Sequence, residues 1–195
     1  MTVIELPGQK LWVHSPIRPT DELVDDLNEL GDVEAIIAPN LFHHLNVQAF
    51  SYRFPNAVVY GVPGLHKKQK DLNFENLFDK RSNWSPSIEA KIVQGMPILK
   101  EVVFFHPDSK TLIVTDLLFN LQKNTGLSKW ILKLDGIDGK LAFSKLSKLA
   151  IKDKVAFKKS LTDILDWDFE QIIMAHGTMV TSQARRDFED VLFNV

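Results

Sequence analysis

The stretch 33–44, VEAIIAPNLFHH, decides the fold. Val33 to Ala38 is a nearly unbroken apolar run of the length a buried strand takes, and Pro39, with no N–H for a sheet ladder, ends it. A loop carrying His43 and His44 follows. On the N-terminal side, Thr20 and Asp21 offer N-cap oxygens to a helix with Leu23, Val24, Leu27 and Leu30 on one face. Gly31 sits where a helix C-terminus takes a residue free to adopt positive φ. Before it, Leu11 to Val13 is a short β-like run that stops at His14-Ser15-Pro16. Strand, helix, strand within about thirty residues is the pattern of an α/β layer.

C-terminal to the quoted stretch, Val47, Phe50 and Phe54 share a helical face that ends at Pro55, and Ala57 to Tyr60 is another short strand. Residues 65–86 are polar and irregular, with a basic knot of His66, Lys67, Lys68 and Lys70 that reads as a solvated loop. Ile88, Ala90 and Ile92 alternate as in a half-buried strand. Val102 to Phe105 and Thr111 to Thr115 flank the polar turn His106-Pro107-Asp108-Ser109-Lys110, which makes a hairpin that delivers Asp116 at its end. The spacing from Gly126 to Leu165 is helical, with lysines outward. Gln171 to Ala175 is one more buried strand, ending at His176-Gly177, and Ser182 caps a last helix through Phe188, Val191 and Leu192.

The composition fits a single domain over residues 1–195, with 45% hydrophobic and 25% charged residues. A formal charge of −2 argues against a nucleic-acid binder, whose domain would be strongly basic. Charges interrupt every apolar run well short of the roughly eighteen residues a membrane span needs, so no membrane association is expected. Met1 to Lys10 lacks the basic start and apolar core of a secretory signal, and a cytoplasmic location is the expectation. With no cysteine there is no thiolate nucleophile and no sulfur metal site. The chain also lacks a phosphate-cradling glycine loop, a Gly-x-Ser-x-Gly elbow and a dinucleotide fingerprint.

Polar, metal-capable residues sit just past the ends of four apolar strands: His14, the His43-His44 pair, Asp116 and His176. Strand ends in α/β proteins converge on a rim where ligands bind. Taken singly, each residue is more simply a turn or cap residue. His43 could be a ligand, a hydrogen-bond partner of a ligand or a surface residue, and His14 could line the same rim or only make a turn. Arg185 and Arg186 read as an exposed helix face, and Trp12, Trp84, Trp130 and Trp167 as core or rim packing.

In this order the residues resemble the metallo-β-lactamase superfamily. There a strand and helix precede a His-x-His-x-Asp-His loop, a later hairpin ends in a metal-bridging Asp, and a late strand ends in His-Gly. Loop 39–44, the hairpin to Asp116, and Met174-Ala175-His176-Gly177 follow that order from about Leu11 to the final helix. The chain resembles, more narrowly, a divergent branch known as a domain of unknown function. The resemblance implies an αββα four-layer sandwich with two mixed sheets.

It also implies a reduced site. With His44 on the motif's last His, Pro39 and Leu41 replace the first two, and His43 takes the Asp position. The family's intermediate His becomes Met96 in Gly95-Met96-Pro97. What remains is His44, Asp116 and His176, with His43 as a further ligand, and His43 and Asp116 in catalytic roles. Such a set suits one divalent ion, zinc before iron or manganese. The implied activity is mononuclear metal-dependent hydrolysis of a small-molecule substrate. The alternative is a metal-free, non-catalytic protein that keeps the pocket for a ligand or partner.

Overall fold

The computed structural model describes residues 1–79, 82, 84–122 and 134–193, and the chain divides into two units, Met1–Ser87 and Ile88–Val195.

The first unit holds β1 (Thr2–Leu6), β2 (Lys10–His14), α1 (Asp21–Leu30), β3 (Asp32–Ala38), α2 (Val47–Arg53), β4 (Val58–Gly61) and β5 (Glu75–Asn76). Its sheet runs β1-β2-β3-β4-β5; β1 is antiparallel to β2 and the remaining pairs are parallel. The helix start is as the sequence predicts: Thr20 Oγ1 accepts the Leu23 N–H at 3.2 Å. Val24 and Leu27 are buried, whereas Leu30 is exposed.

Gly31 caps the C-terminus of α1 at φ +157°, as expected, its N–H donating to the Leu27 carbonyl, and it serves a second need besides. A Cβ there would lie 2.2 Å from the Gln9 carbonyl oxygen, which accepts the Asp32 N–H at 2.9 Å. The backbone of the β1–β2 turn passes too close for any side chain. The core of this unit is Trp12, Ile36, Ile37 and Phe50, none of them exposed. Strand β1 had no sequence signal, because four of its five residues are only partly buried or exposed.

The second unit holds β6 (Glu89–Ile92), β7 (Val102–His106), β8 (Thr111–Ile113), β9 (Phe119–Asn120), β10 (Leu141–Ala142), α3 (Lys145–Leu149), α4 (Lys154–Ile164), β11 (Gln171–Ile173) and α5 (Ala184–Phe193). Its main sheet runs β11-β8-β7-β6. The expected hairpin is β7–β8, paired at His106 and Thr111, and β11 joins β8 in parallel. Asp153 starts α4 by accepting the Val155 and Ala156 N–H groups at 3.0 Å each. That helix buries Phe157, Leu161 and Ile164 in a core that includes Phe105 stacked on Trp167.

The helical spacing read over 126–165 is corrected in part. Residues 134–135, 145–149 and 154–164 are helical, but Leu141–Ala142 is a strand paired with β9. Gly136 and Gly139, both at positive φ, break the helical run before it. Residues 123–133, Trp130 among them, lie outside the described residues. No helix among the described residues is long and apolar enough to cross a membrane.

Candidate metal centre

In the second unit the hairpin and the last strand bring Asp116 and His176 together, with His176 Nε2 3.0 Å from Asp116 Oδ1. Facing a carboxylate, Nε2 carries the proton and donates. That hydrogen bond raises the imidazole pKa, with desolvation opposing and the charges of Asp116 and Glu101 adding. Phe119 fixes the ring from its face, with centroids 5.4 Å apart and planes within 10°.

The backbone around His176 is strapped to β9. Asn120 N–H donates to the His176 carbonyl at 3.2 Å, and Thr178 N–H donates to the Asn120 carbonyl at 2.9 Å. Gly177 lies between these bonds at φ +120°, where a Cβ would sit 2.3 Å from Asn120 O. The His-Gly sequence therefore has a steric reason: the strap needs a residue with no side chain.

Asp116 is set by Glu101, which nothing in the sequence singled out. Glu101 is 0% exposed and precedes β7. Its Oε1 accepts the N–H groups of Thr115 at 2.7 Å and Leu117 at 3.1 Å, and its Oε2 accepts that of Asp116 at 2.8 Å. Burial first, and then the Asp116 charge, push its carboxyl up to about 7 against those three donors.

In the first unit the 39–44 loop is shaped by Asn40, whose Oδ1 accepts the N–H groups of Phe42 and His43 at 2.8 Å each. Ser15 Oγ lies 2.6 Å from His43 Nδ1 and orients that ring. Ser15 stands at φ +52°, a left-handed conformation that costs a non-glycine residue about 1–2 kcal/mol.

His44 neighbours it in the same loop. It is buried, and Gln69 Nε2 lies 3.1 Å from its Nδ1; burial and then Lys68 lower its pKa. His14 is 1% exposed and stacks on Trp12. Lys68, from the basic knot, fastens the loop by donating to the Leu41 carbonyl at 2.6 Å and by lying over the Phe42 ring.

Met96 is 2% exposed within the apolar core of the second unit. The Pro39 and Leu41 side chains carry no lone pair that a metal could use. Arg185 donates to the Trp167 carbonyl at 2.9 Å.

The donors fit a divalent ion. Two ligands each about 2.1 Å from one ion, at 90–110°, stand about 3.0–3.4 Å apart, and Asp116 Oδ1 and His176 Nε2 meet that spacing. Ser15 and Asn40 were missed because a Ser-Pro and a Pro-Asn in turns look like ordinary turn chemistry. Glu101 was missed because a lone acid beside a strand looks solvated.

The fold that carries these residues is that of the metallo-β-lactamases. A metallo-β-lactamase from Pontibacter korlensis aligns over 95% of this chain and 82% of its own at TM-score 0.61 and 15% identity. One from Hirschia baltica covers 98% and 83% at TM-score 0.64 and 8% identity. The metal-soaked Flv1 flavodiiron core from Synechocystis sp. PCC6803 covers 98% of this chain and 51% of its own at TM-score 0.64 and 13% identity. Within that fold the chain belongs to the family of domains of unknown function DUF4336, which matches residues 1–135. No curated protein sequence matches it.

Proposed function

We propose that the protein is a mononuclear metal-dependent hydrolase acting on a small-molecule substrate in the cytoplasm. Within the second unit Asp116 and His176 bring one carboxylate and one imidazole together, a donor pair that can serve a metal ion. The observation that carries the reading is the 3.0 Å approach of His176 Nε2 to Asp116 Oδ1, each held by a separate set of hydrogen bonds. The loop histidines His43 and His44, which the family resemblance offers as further ligands, lie in the first unit, where Ser15 orients the His43 ring and Gln69 meets the His44 ring.

Zinc bound there would supply Lewis acidity and lower the pKa of a coordinated water. The chain's own part is to place the donors. Asp116 provides the negative charge of the set, and Phe119 and the Asn120 strap keep His176 from rotating. Met96, Pro39 and Leu41 take the positions of a second metal's ligands, so the reading is of one ion per chain.

The test is elemental analysis of protein purified without chelator, followed by calorimetric zinc titration and a hydrolase screen of the loaded protein. One equivalent bound, together with turnover that Asp116→Asn removes, supports the proposal. Unmeasurable zinc affinity ends it in favour of a metal-free ligand-binding role for the same fold.

A further inference from the structure

We propose that Glu101 is a positioning residue: its buried carboxylate fixes the 115–117 turn so that Asp116 presents Oδ1 to His176. The inference rests on Asp116 and His176 being ligands, as argued above.

The geometry is costly, and that is what makes it informative. Glu101 is wholly enclosed, and burying a carboxylate is expensive unless strong donors meet it. Here the cost is raised further by the Asp116 carboxylate nearby. A side chain that only tied off a strand end would not need a charge, since one neutral acceptor or a water serves that purpose. Its two oxygens share these donors: Oε1 accepts from Thr115 and Leu117, and Oε2 from Asp116. Three consecutive N–H groups are thus drawn to one anion, which fixes the backbone from which the Asp116 side chain reaches His176. Charge-assisted bonds of this kind are about twice as strong as neutral ones.

Glu101→Gln tests this at nearly constant volume. An amide keeps one acceptor oxygen and places a donor where the other stood, so either the Asp116 N–H or the Thr115 and Leu117 pair faces a donor. Glu101→Asp is the second variant; it keeps the charge and loses the reach. Two readouts are taken beside a thermal melt. The first is the tautomer of His176 in metal-free protein at mildly alkaline pH, read from long-range proton–nitrogen correlations. Wild type is expected as the Nε2–H form, and both variants as tautomer mixtures. The second is zinc affinity, expected to fall about tenfold to a hundredfold in both, as when outer partners of metal ligands are removed.

A folded variant with unchanged tautomer and unchanged affinity overturns the inference, whatever happens to its melting temperature. If wild type binds no zinc, the hydrolase reading falls while the tautomer comparison still decides the role of Glu101. Should Glu101→Gln fail to fold, Glu101→Asp carries the same two measurements.

Discussion

The imidazole of His14 lies flat on the indole of Trp12, with centroids 5.5 Å apart and planes within 15°. Enclosed there, the ring is held neutral. Burial first, then the chain N-terminus and His43, lower its pKa from 6.5 to about 3. The unfolded chain therefore takes up a proton below pH 6.5 that the folded one refuses until about pH 3. Stability from this group is fully present above 6.5 and is lost as pH falls through that window, by about 1.4 kcal/mol per pH unit at most. Urea melts from about pH 7 to about pH 4 should show a shallower slope for His14→Gln than for wild type. Equal slopes would mean that His14 titrates normally.

The charge of the proposed site gives the next expectation. One carboxylate against a divalent ion leaves a net positive centre. His43→Asp should tighten zinc binding by supplying a second negative charge, and Asp116→Asn should weaken it by at least about tenfold, at nearly unchanged shape. Calorimetric titration of the three proteins reads both directions at once. Two equivalents of zinc in wild type would refute the single-ion reading, since Met96 sits in the core.

Gly177→Ala should be more damaging than its size suggests. The new Cβ would meet the Asn120 carbonyl oxygen at 2.3 Å and the Asn120 nitrogen at 3.0 Å, both backbone atoms. The strap must open, at a cost of about 2 kcal/mol or more, and His176 moves with it. Chemical denaturation measures the loss, and a variant as stable as wild type would show that the strap is dispensable.

Ser15 separates strain from function. Ser15→Gly relieves the left-handed backbone while adding unfolded-state freedom, so its melt should stay within a few degrees of wild type. Ser15→Ala keeps the strain. Both remove the hydroxyl at His43 Nδ1, and both should weaken zinc binding severalfold. If only Ser15→Gly does so, the backbone rather than the hydroxyl sets His43.

Much of this architecture could be read because burial imposes periodicity. Val33 to Ala38, the α1 face and the 102–115 hairpin announce themselves through apolar spacing and turn residues. Asp116 and His176 were legible because they stand at the ends of such runs. The residues that set them were not. Glu101 acts through backbone N–H groups, which no side-chain pattern encodes. Ser15 works through a positive φ that serine gives no hint of. The 136–142 stretch misled because its apolar spacing continues a helical pattern while Gly136 and Gly139, both at positive φ, do not continue a helix there. Strand β1 escaped because an edge strand with little burial has little pattern to show.

The segment after β11 returns to its own start: Ile172 and Val180 exchange both backbone hydrogen bonds at 2.9 Å, and Gly177 bridges to Asn120 between them. His176 thus rides on an arch with its two feet locked together and its span pinned to a neighbouring strand. Such an arch behaves as a cartridge. Residues 175–179 can be exchanged as a block, with Gly177 kept, to offer a different donor beside Asp116 while Met174 stays in the core. The chemistry of this corner is therefore open to redesign by replacing one short piece of chain.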